Sequence, residues 1–354
     1  MLLAALVVVI AVGSGGGASH PGRRAARARP ARPAASQSSS ATTTRVAARD
    51  GSAPYRVGMT SMALDEPAPA ATATGRGPSG ASVRALPTIV RYPALGGPGG
   101  GAHPGAAPAA GSGPFPLIVF SQGFDIPAEA YSGLLDAWAR AGYVVADPTY
   151  PATDPSAPGG VNEQDIVNHP ADLRFVIASL LAAGRDRHGV LRALVNPARV
   201  AVVGHSDGGD VSLAVADNSC CHDSVVRAAV ILSGAEFAGF GGHYFGADHV
   251  PLLVVQGSAD TINVPGCSAQ IFDGAPRPRY YVDLQGDEHE PPYLDPGPAQ
   301  AGVARGVIAF LGAYLDHRPA HLQSLVRRGT VAAGETISAA PLPPDTGTAC
   351  PGAP

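Results

Sequence analysis

Three polar residues, Ser206, Asp260 and His289, each follow a short apolar run of the sequence. Ser206 ends VAVVGHS between Gly204 and Gly208, Asp260 ends PLLVVQGSAD, and His289 follows YYVDLQG in the segment GDEH. A serine hydroxyl becomes an effective nucleophile when a histidine takes its proton and a carboxylate orients that histidine. The residue types and their order therefore predict nucleophilic catalysis by Ser206, with His289 as the base and Asp260 as the orienting acid.

The pattern G-x-S-x-G around Ser206 is typical of a sharp turn from a strand into a helix. A side chain at Gly204 or Gly208 would collide with the neighbouring strand and helix in such a bend. A glycine-rich chain also produces this pattern by chance, but here it lies where an apolar run ends. We therefore predict that Ser206 is exposed at the start of a helix, where the helix dipole favours developing negative charge.

Other acidic and histidine residues compete for these roles. Glu236 follows the run VILSG and is an alternative acid, although Asp260 has the better position at a strand end. His205 is expected to point away from the nucleophile. The remaining histidines near apolar runs are interpreted as surface or structural residues: His169, His243 and His249. No H-E-x-x-H spacing occurs, so the acidic residues beside His289 are interpreted as solvated loop charge, and no metal or cofactor is predicted.

Acyl transfer also requires N–H donors for the developing oxyanion. The backbone N–H of Asp207, directly after the serine, is one predicted donor. The second is expected from Phe124 in the loop SQGF, which Gln122 and Gly123 would shape, with a plain turn as the alternative interpretation. Candidate substrate-binding residues are Gln122, Tyr150, His205 and Phe237.

Apolar segments alternating with helical patterns predict the α/β class, a mostly parallel central sheet covered by helices on both faces. An early edge strand is expected within 81–94. Helices are expected at about 128–141, from about Pro170 onward, and at about 301–315. The segment 237–250 is too short for a helical lid, so we expect no sizeable lid and an open cleft. The predicted parallel strands lie within 116–124, 143–151, 198–206, 226–234, 251–260 and 279–289.

Composition divides the chain into one catalytic domain and flanking segments. The apolar run from Leu2 to Val12 is shorter than the roughly 20 residues that span a bilayer and is typical of a secretory signal. We therefore predict a signal peptide at 1–18 and no stable membrane span. The 45 glycines and 35 prolines are concentrated near the two ends, which predicts a disordered linker rich in Ala, Pro, Ser and Arg at 19–80. The catalytic domain would occupy 81–330, and a Pro/Ala-rich tail 331–354.

Charge and cysteine content indicate the compartment and the partners. The net charge is −4 and all 24 basic residues are arginines, a balance that does not indicate a nucleic-acid partner. We expect a secreted, extracellular monomer. Four cysteines in an exported chain favour disulfides, with three pairings open. We hypothesise that Cys267 is bonded to Cys350, which leaves the adjacent Cys220 and Cys221.

The chain from about 81 to 318 resembles the α/β-hydrolase superfamily, and within it the bacterial serine esterases similar to platelet-activating-factor acetylhydrolase, chlorophyllase and the polyester hydrolases, which are related to dienelactone hydrolase. Related sequences often have Ser-His-Gly where this one has Ser-Gln-Gly at 121–123. The resemblance implies hydrolysis of small-molecule or polymeric carboxylic esters. A peptidase or acyltransferase using the same triad, or a non-catalytic binding protein on this scaffold, are the alternatives. The segments that carry the resemblance are RALPTIVRYPA, PFPLIVFSQGF, VNHPADLRFVI, GHSDGG, QGSADTI and GDEH.

Overall fold

A computed structural model of the chain describes residues 55–67, 83–246, 249–340 and Cys350. The strands in chain order are β1 (Arg56–Met62), β2 (Asp65–Pro67), β3 (Val83–Ala85), β4 (Thr88–Ala94), β5 (His103–Pro104), β6 (Phe115–Ser121), β7 (Val144–Pro148), β8 (Val195–His205), β9 (Val226–Leu232), β10 (Leu252–Gly257), β11 (Arg279–Leu284), β12 (Thr330–Ala332) and β13 (Glu335–Ser338). The helices are α1 (Ser132–Arg140), α2 (His169–Arg185), α3 (Asp207–Asp217), α4 (Pro265–Gly274), α5 (Pro291–Leu294), α6 (Pro298–Tyr314) and α7 (Ala320–Arg328).

Eleven of these strands form one sheet in the order β12-β13-β11-β10-β9-β8-β6-β7-β4-β1-β5. Six adjacent strands of the sheet are parallel to one another: β7, β6, β8, β9, β10 and β11. Antiparallel strands extend the sheet on both sides, β4 and β1 beyond β7, and β13 and β12 beyond β11. The predicted mostly parallel sheet is confirmed. Its parallel register brings the carboxyl ends of β6, β8, β10 and β11 to one edge.

Alternating side chains of the central strands supply two separate apolar layers. In β8, Val200 and Val202 belong to one buried cluster, while Ala201 and Val203 belong to the other. Helices α2, α3 and α4 cover the first layer, and α1, α5, α6 and α7 cover the second. Strands buried on both faces read as continuous apolar runs, which is why the sequence locates them well.

The predicted disordered linker at 19–80 is wrong for residues 55–67, which contain β1 and β2. Strand β1 pairs with β4 along its whole length, so β4 is an internal strand and not the predicted edge strand. Backbone hydrogen bonds to β4 stabilise β1, although its sequence RVGMTSM contains few large apolar residues. The signal peptide prediction and the rest of the linker lie outside the described residues.

The predicted tail at 331–354 also begins in ordered structure. Helix α7, which the sequence pattern did not predict, leads into β12 and β13, and β13 pairs with β11. Val331 and Ile337 are buried against α6 and the sheet. The composition of the tail is poor in apolar residues, but the open edge of β11 supplies backbone partners that composition does not reveal.

Both disulfide bonds of the structure involve cysteines that the sequence analysis singled out. Cys267 in α4 is bonded to Cys350, as hypothesised, and Cys220 is bonded to Cys221. Cys267 and Cys350 are buried, whereas Cys220 is exposed. The first bond attaches the far end of the chain to the helix that follows Asp260.

Two segments test whether the chain contains a membrane-spanning helix or a lid over the site. Residues 163–185 form a helical stretch long and apolar enough to cross a membrane by length and composition, but the apolar face of α2 is buried against the sheet. Between β9 and β10, the described residues form only one 3₁₀ turn, Ala238–Phe240. The described part of this segment therefore contains no sizeable lid, as predicted.

Candidate active site

Ser206, His289 and Asp260 form one hydrogen-bonded chain at the carboxyl edge of the sheet. The Oγ atom of Ser206 lies 2.9 Å from Nε2 of His289, and Nδ1 of His289 lies 2.7 Å from Oδ2 of Asp260. His289 and Asp260 are buried, while Ser206 is partly exposed. The structure thus brings together the three residues that the sequence selected, in the geometry that a serine nucleophile requires.

A strained turn presents Ser206 between β8 and α3. Its backbone has φ 55° and ψ −127°, a region that residues other than glycine rarely adopt. A Cβ at Gly204 would overlap the carbonyl of Gly208, and one at Gly208 would overlap the carbonyl of Ser121. Both predicted glycines are therefore required by close backbone approach.

The loops that carry the acid and the base are hydrogen-bonded to each other. The N–H of Ala259 donates to the carbonyl of Asp287 at 2.9 Å, and a Cβ at Gly257 would press on the same carbonyl. Asp260 Oδ1 accepts the N–H groups of Ile262 and Asn263 at 2.9 and 3.0 Å. These contacts hold Asp260 beside His289.

Gln256 is a supporting residue that sequence reasoning missed. It is fully buried, and its Nε2 donates to Asp260 Oδ2 at 3.0 Å and to the carbonyl of Asn263 at 3.0 Å. Its Oε1 accepts the hydroxyl of Ser268 in α4 at 2.6 Å. A polar residue inside the otherwise apolar run PLLVVQG was the signal, because a buried amide needs partners.

The two predicted oxyanion donors come from the loop after β6 and from the first residue of α3. Neither the N–H of Phe124 nor that of Asp207 has an acceptor within the part of the chain that the structure describes. Gly123 packs against the serine, since a Cβ built there would lie 3.2 Å from Cβ of Ser206. The loop containing Phe124 therefore adjoins Ser206.

A comparison with family models places this site in context. The model described as chlorophyllase matches residues 106–232, about a third of the chain, which includes β6, the Phe124 loop and the Ser206 turn. This match and the mostly parallel sheet are consistent with an α/β-hydrolase fold. A search of curated proteins finds no match to it. The family match indicates an ester hydrolase of the α/β type.

Two clefts adjoin the triad. The larger, about 520 Å³, has Asp207 and Phe237 in its wall, and the smaller, about 240 Å³, has His289 in its wall. Val167 at the first and Ile262 at the second are 45% and 60% exposed, so each cleft carries an exposed apolar side chain. Both clefts are open to solvent, one beside Asp207 and the other beside His289.

Burial and neighbouring groups shift two carboxylates here in opposite directions. Burial raises the pKa of Asp260, but hydrogen bonds from His289 and from nearby N–H groups outweigh it and hold the pKa below its usual value. Burial, with the carboxylate of Glu163 nearby, raises the pKa of Asp207 to about 6, although His289 opposes the shift. Asp260 is thus kept ionised as the partner of His289.

Among the candidate substrate-binding residues, Phe237 lines the larger of these two clefts, and the other three line neither. Tyr150 is fully buried, bonds Ser121 Oγ at 2.8 Å and stacks on His169. His205 is fully buried as well, and Gln122 is buried without a side-chain partner among the described residues. Tyr150, His205 and Gln122 were suggested by their positions next to the motifs, but their side chains lie in the core.

Two alternatives from the sequence remain, Glu236 as the acid and a metal site beside His289. Glu236 lines the larger cleft, and the carboxylate hydrogen-bonded to His289 is that of Asp260. Within the described ranges, no group of three or more His, Cys, Asp or Glu side chains is arranged to hold a metal ion.

Proposed function

We propose that this chain is an exported carboxylic ester hydrolase that works through an acyl-enzyme on Ser206. The observation that carries the proposal is the continuous hydrogen-bonded chain from Asp260 through His289 to Ser206. Export is supported by the apolar run at 2–12 and by the two disulfides.

Acylation follows from the positions of these groups. Ser206 Oγ attacks the ester carbonyl carbon while its proton moves to Nε2 of His289. The negative oxygen of the tetrahedral intermediate accepts the N–H groups of Phe124 and Asp207. The bond to the alcohol oxygen then breaks, and that oxygen takes the proton from Nε2. Asp260 stabilises the imidazolium throughout and remains ionised.

Deacylation repeats these steps with water. His289 takes one proton from a water molecule as the water oxygen attacks the acyl carbon. The intermediate collapses, the bond to Ser206 Oγ breaks, and Oγ recovers a proton from Nε2. The products are the free carboxylic acid and the unmodified enzyme.

The test is covalent labelling together with an ester panel. A fluorophosphonate should label the wild type at Ser206 and leave Ser206→Ala unlabelled, and Ser206→Ala and His289→Ala should each lose at least about 10³-fold in ester hydrolysis. The panel contains short and long acyl esters, a polyester, chlorophyll, for which the matching family is named, and amides of the same acids. Faster turnover of amides than of esters, or a wild type that is neither labelled nor active, would overturn the proposal.

The acid assignment has a matched pair of variants. Asp260→Asn should lose activity nearly as severely as His289→Ala, because the amide no longer orients the imidazole. Glu236→Gln, which also replaces a partly buried carboxylate near the site, should retain most activity. The opposite ranking would place the acid on the loop after β9.

A further inference from the structure

A chain of three hydrogen bonds connects the loop of the oxyanion donors to the loop of the catalytic histidine. The N–H of Gly123 donates to the hydroxyl oxygen of Tyr131 at 3.0 Å, and this hydroxyl lies 2.8 Å from Nδ1 of His205. Nε2 of His205 lies 3.0 Å from the backbone carbonyl oxygen of His289. The two side chains thus join Gly123 to His289, residues that are far apart in sequence.

The direction of each hydrogen bond follows from its last member. The carbonyl of His289 can only accept, so Nε2 of His205 carries a proton. Complete burial and the neighbouring His289 lower the pKa of His205 to about 3, which keeps the imidazole neutral. Nδ1 is then an acceptor and Tyr131 must donate to it, which leaves the phenolic oxygen free to accept the N–H of Gly123. Burial raises the pKa of Tyr131, so its proton is retained.

Dense packing surrounds these two rings. Tyr131 and His205 are both fully buried. The ring of His205 lies 4.8 Å from that of His289 and 4.7 Å from that of Tyr293, and Tyr131 packs at 4.7 Å on Phe120. A Cβ on Gly123 would lie 3.3 Å from Nδ1 of His205, so the loop rests directly on the imidazole.

Catalysis depends on the relative position of the groups that these loops carry. Phe124 follows Gly123 and would supply one oxyanion donor, while His289 supplies the base. A displacement of about 1 Å between such groups can reduce turnover about 100-fold. Tyr131 and His205 contact neither Ser206 Oγ nor the imidazole nitrogens of His289 by a hydrogen bond.

We propose that Tyr131 and His205 are positioning residues that hold the oxyanion loop and the catalytic histidine at a fixed separation through this hydrogen-bond chain. The proposal rests on the proposed esterase function. It assigns to the histidine of GHSDG an internal role that its position beside the nucleophile did not suggest.

The experiment compares Tyr131→Phe, His205→Phe and the double variant with the wild type and with Tyr92→Phe. Tyr92 is a matched control, because it is also fully buried and donates one hydrogen bond, to the carbonyl of Ala106 at 2.9 Å, far from the triad in sequence. His205→Gln is added because its amide retains one acceptor and one donor. Near-ultraviolet circular dichroism establishes that each variant is folded.

The informative readout is the ratio of kcat for an oxygen ester to kcat for the corresponding thionoester. Sulfur accepts hydrogen bonds weakly, so a misplaced oxyanion donor slows the oxygen ester more than the thionoester. Tyr131→Phe should lower kcat for the oxygen ester about 10- to 100-fold with KM changed less than about twofold, and the ratio should fall. His205→Gln should lose less activity than His205→Phe.

The double variant tests whether the two residues act as one chain. Either single substitution already interrupts the hydrogen-bond connection. The kcat of the double variant should therefore equal that of the less active single variant. The positioning role is overturned if the losses in kcat of the two single variants multiply in the double variant. It is also overturned if Tyr131→Phe keeps the wild-type kcat and the wild-type ratio of oxygen ester to thionoester turnover. Neither result contradicts the esterase function. A wild type without ester hydrolysis overturns both, whereas Tyr92→Phe should match the active wild type.

Discussion

Asp207 places a carboxyl group directly after Ser206, at a position where the proposed mechanism uses only the backbone N–H. One of its side-chain oxygens is buried without a hydrogen-bond partner among the described residues. Glu163 and Asp210 line the same cleft, so the wall beside Ser206 is acidic. A buried carboxylate without partners destabilises the folded state when it is ionised. Ionised Asp207 therefore destabilises the folded state directly beside Ser206.

Asp207→Asn is therefore expected to stabilise the protein at neutral pH and not in acid. The pKa of Asp207 in the folded state, about 6, lies above the usual 3.8 of an aspartate, so the folded state binds the proton more tightly than the unfolded state. The contribution of Asp207 to stability is fully present below about pH 4 and is lost as the pH rises through about 6.

The measurement is Tm as a function of pH for three proteins. Asp207→Asn should match the wild type near pH 4 and exceed it near pH 8. The control is Asp295→Asn, which removes an exposed carboxylate from the wall of the smaller cleft and should change Tm little at either pH. An Asp207→Asn variant less stable than wild type at pH 8 would show that the carboxylate has a stabilising partner.

At the scale of elements, the turn from β8 into α3 depends on the close approach of three backbone segments. Gly204 lies against Gly208, and Gly208 lies against the carbonyls of Ser121 and Gln122 at the end of β6. The nucleophile and the oxyanion loop are thus held together by contact of main chain with main chain. Side-chain flexibility cannot relieve such a contact.

Gly208→Ala should consequently damage both folding and activity. The added methyl group would overlap the Ser121 carbonyl, and forcing it in should destabilise the fold by about 1–3 kcal/mol or more. Urea unfolding and ester hydrolysis measure the two effects. Gly312→Ala in α6 is the control, because a Cβ there meets nothing within 4 Å; alanine should be neutral or stabilise that helix by up to about 1 kcal/mol. Equal behaviour of the two variants would contradict the packing argument.

At the scale of the whole molecule, the Cys267–Cys350 disulfide joins positions 83 residues apart. It attaches the chain end to α4, which begins at Pro265 just after the acid loop and donates the Ser268 hydroxyl to Gln256. A covalent link across a long loop restricts the unfolded chain, and its effect grows with loop length. The adjacent pair Cys220–Cys221 closes no comparable loop.

Replacing both Cys267 and Cys350 by serine should lower the free energy of unfolding by up to roughly 4 kcal/mol. Replacing Cys220 and Cys221 together should lower it far less, because residues adjacent in sequence are already neighbours in the unfolded chain. Denaturant unfolding of the two double variants under non-reducing conditions makes the comparison. A larger loss from the 220/221 variant would mean that local contacts, and not loop length, determine the contribution of each bond.

The amino-acid sequence by itself determined the features that depend on neighbours along the chain. GHSDGG specifies the strand-to-helix turn because both glycines and the serine lie within one bend. The continuous apolar runs before Ser206 and Asp260 specify buried parallel strands, and parallel strands deliver their carboxyl ends to one edge. The order Ser, Asp, His followed from these local patterns.

Only the tertiary structure decided the features that depend on partners distant in sequence. Strands β1 and β13 are stabilised by backbone bonds to β4 and β11, and a backbone partner leaves no mark on the side-chain pattern of either strand. Tyr150 lies just after β7 and His205 is the last residue of β8, positions typical of substrate-binding residues. Both are buried, because the direction of a side chain at a strand end is determined by what packs around it. The connection from Tyr131 through His205 to His289 spans three separate segments, and only folding brings them together.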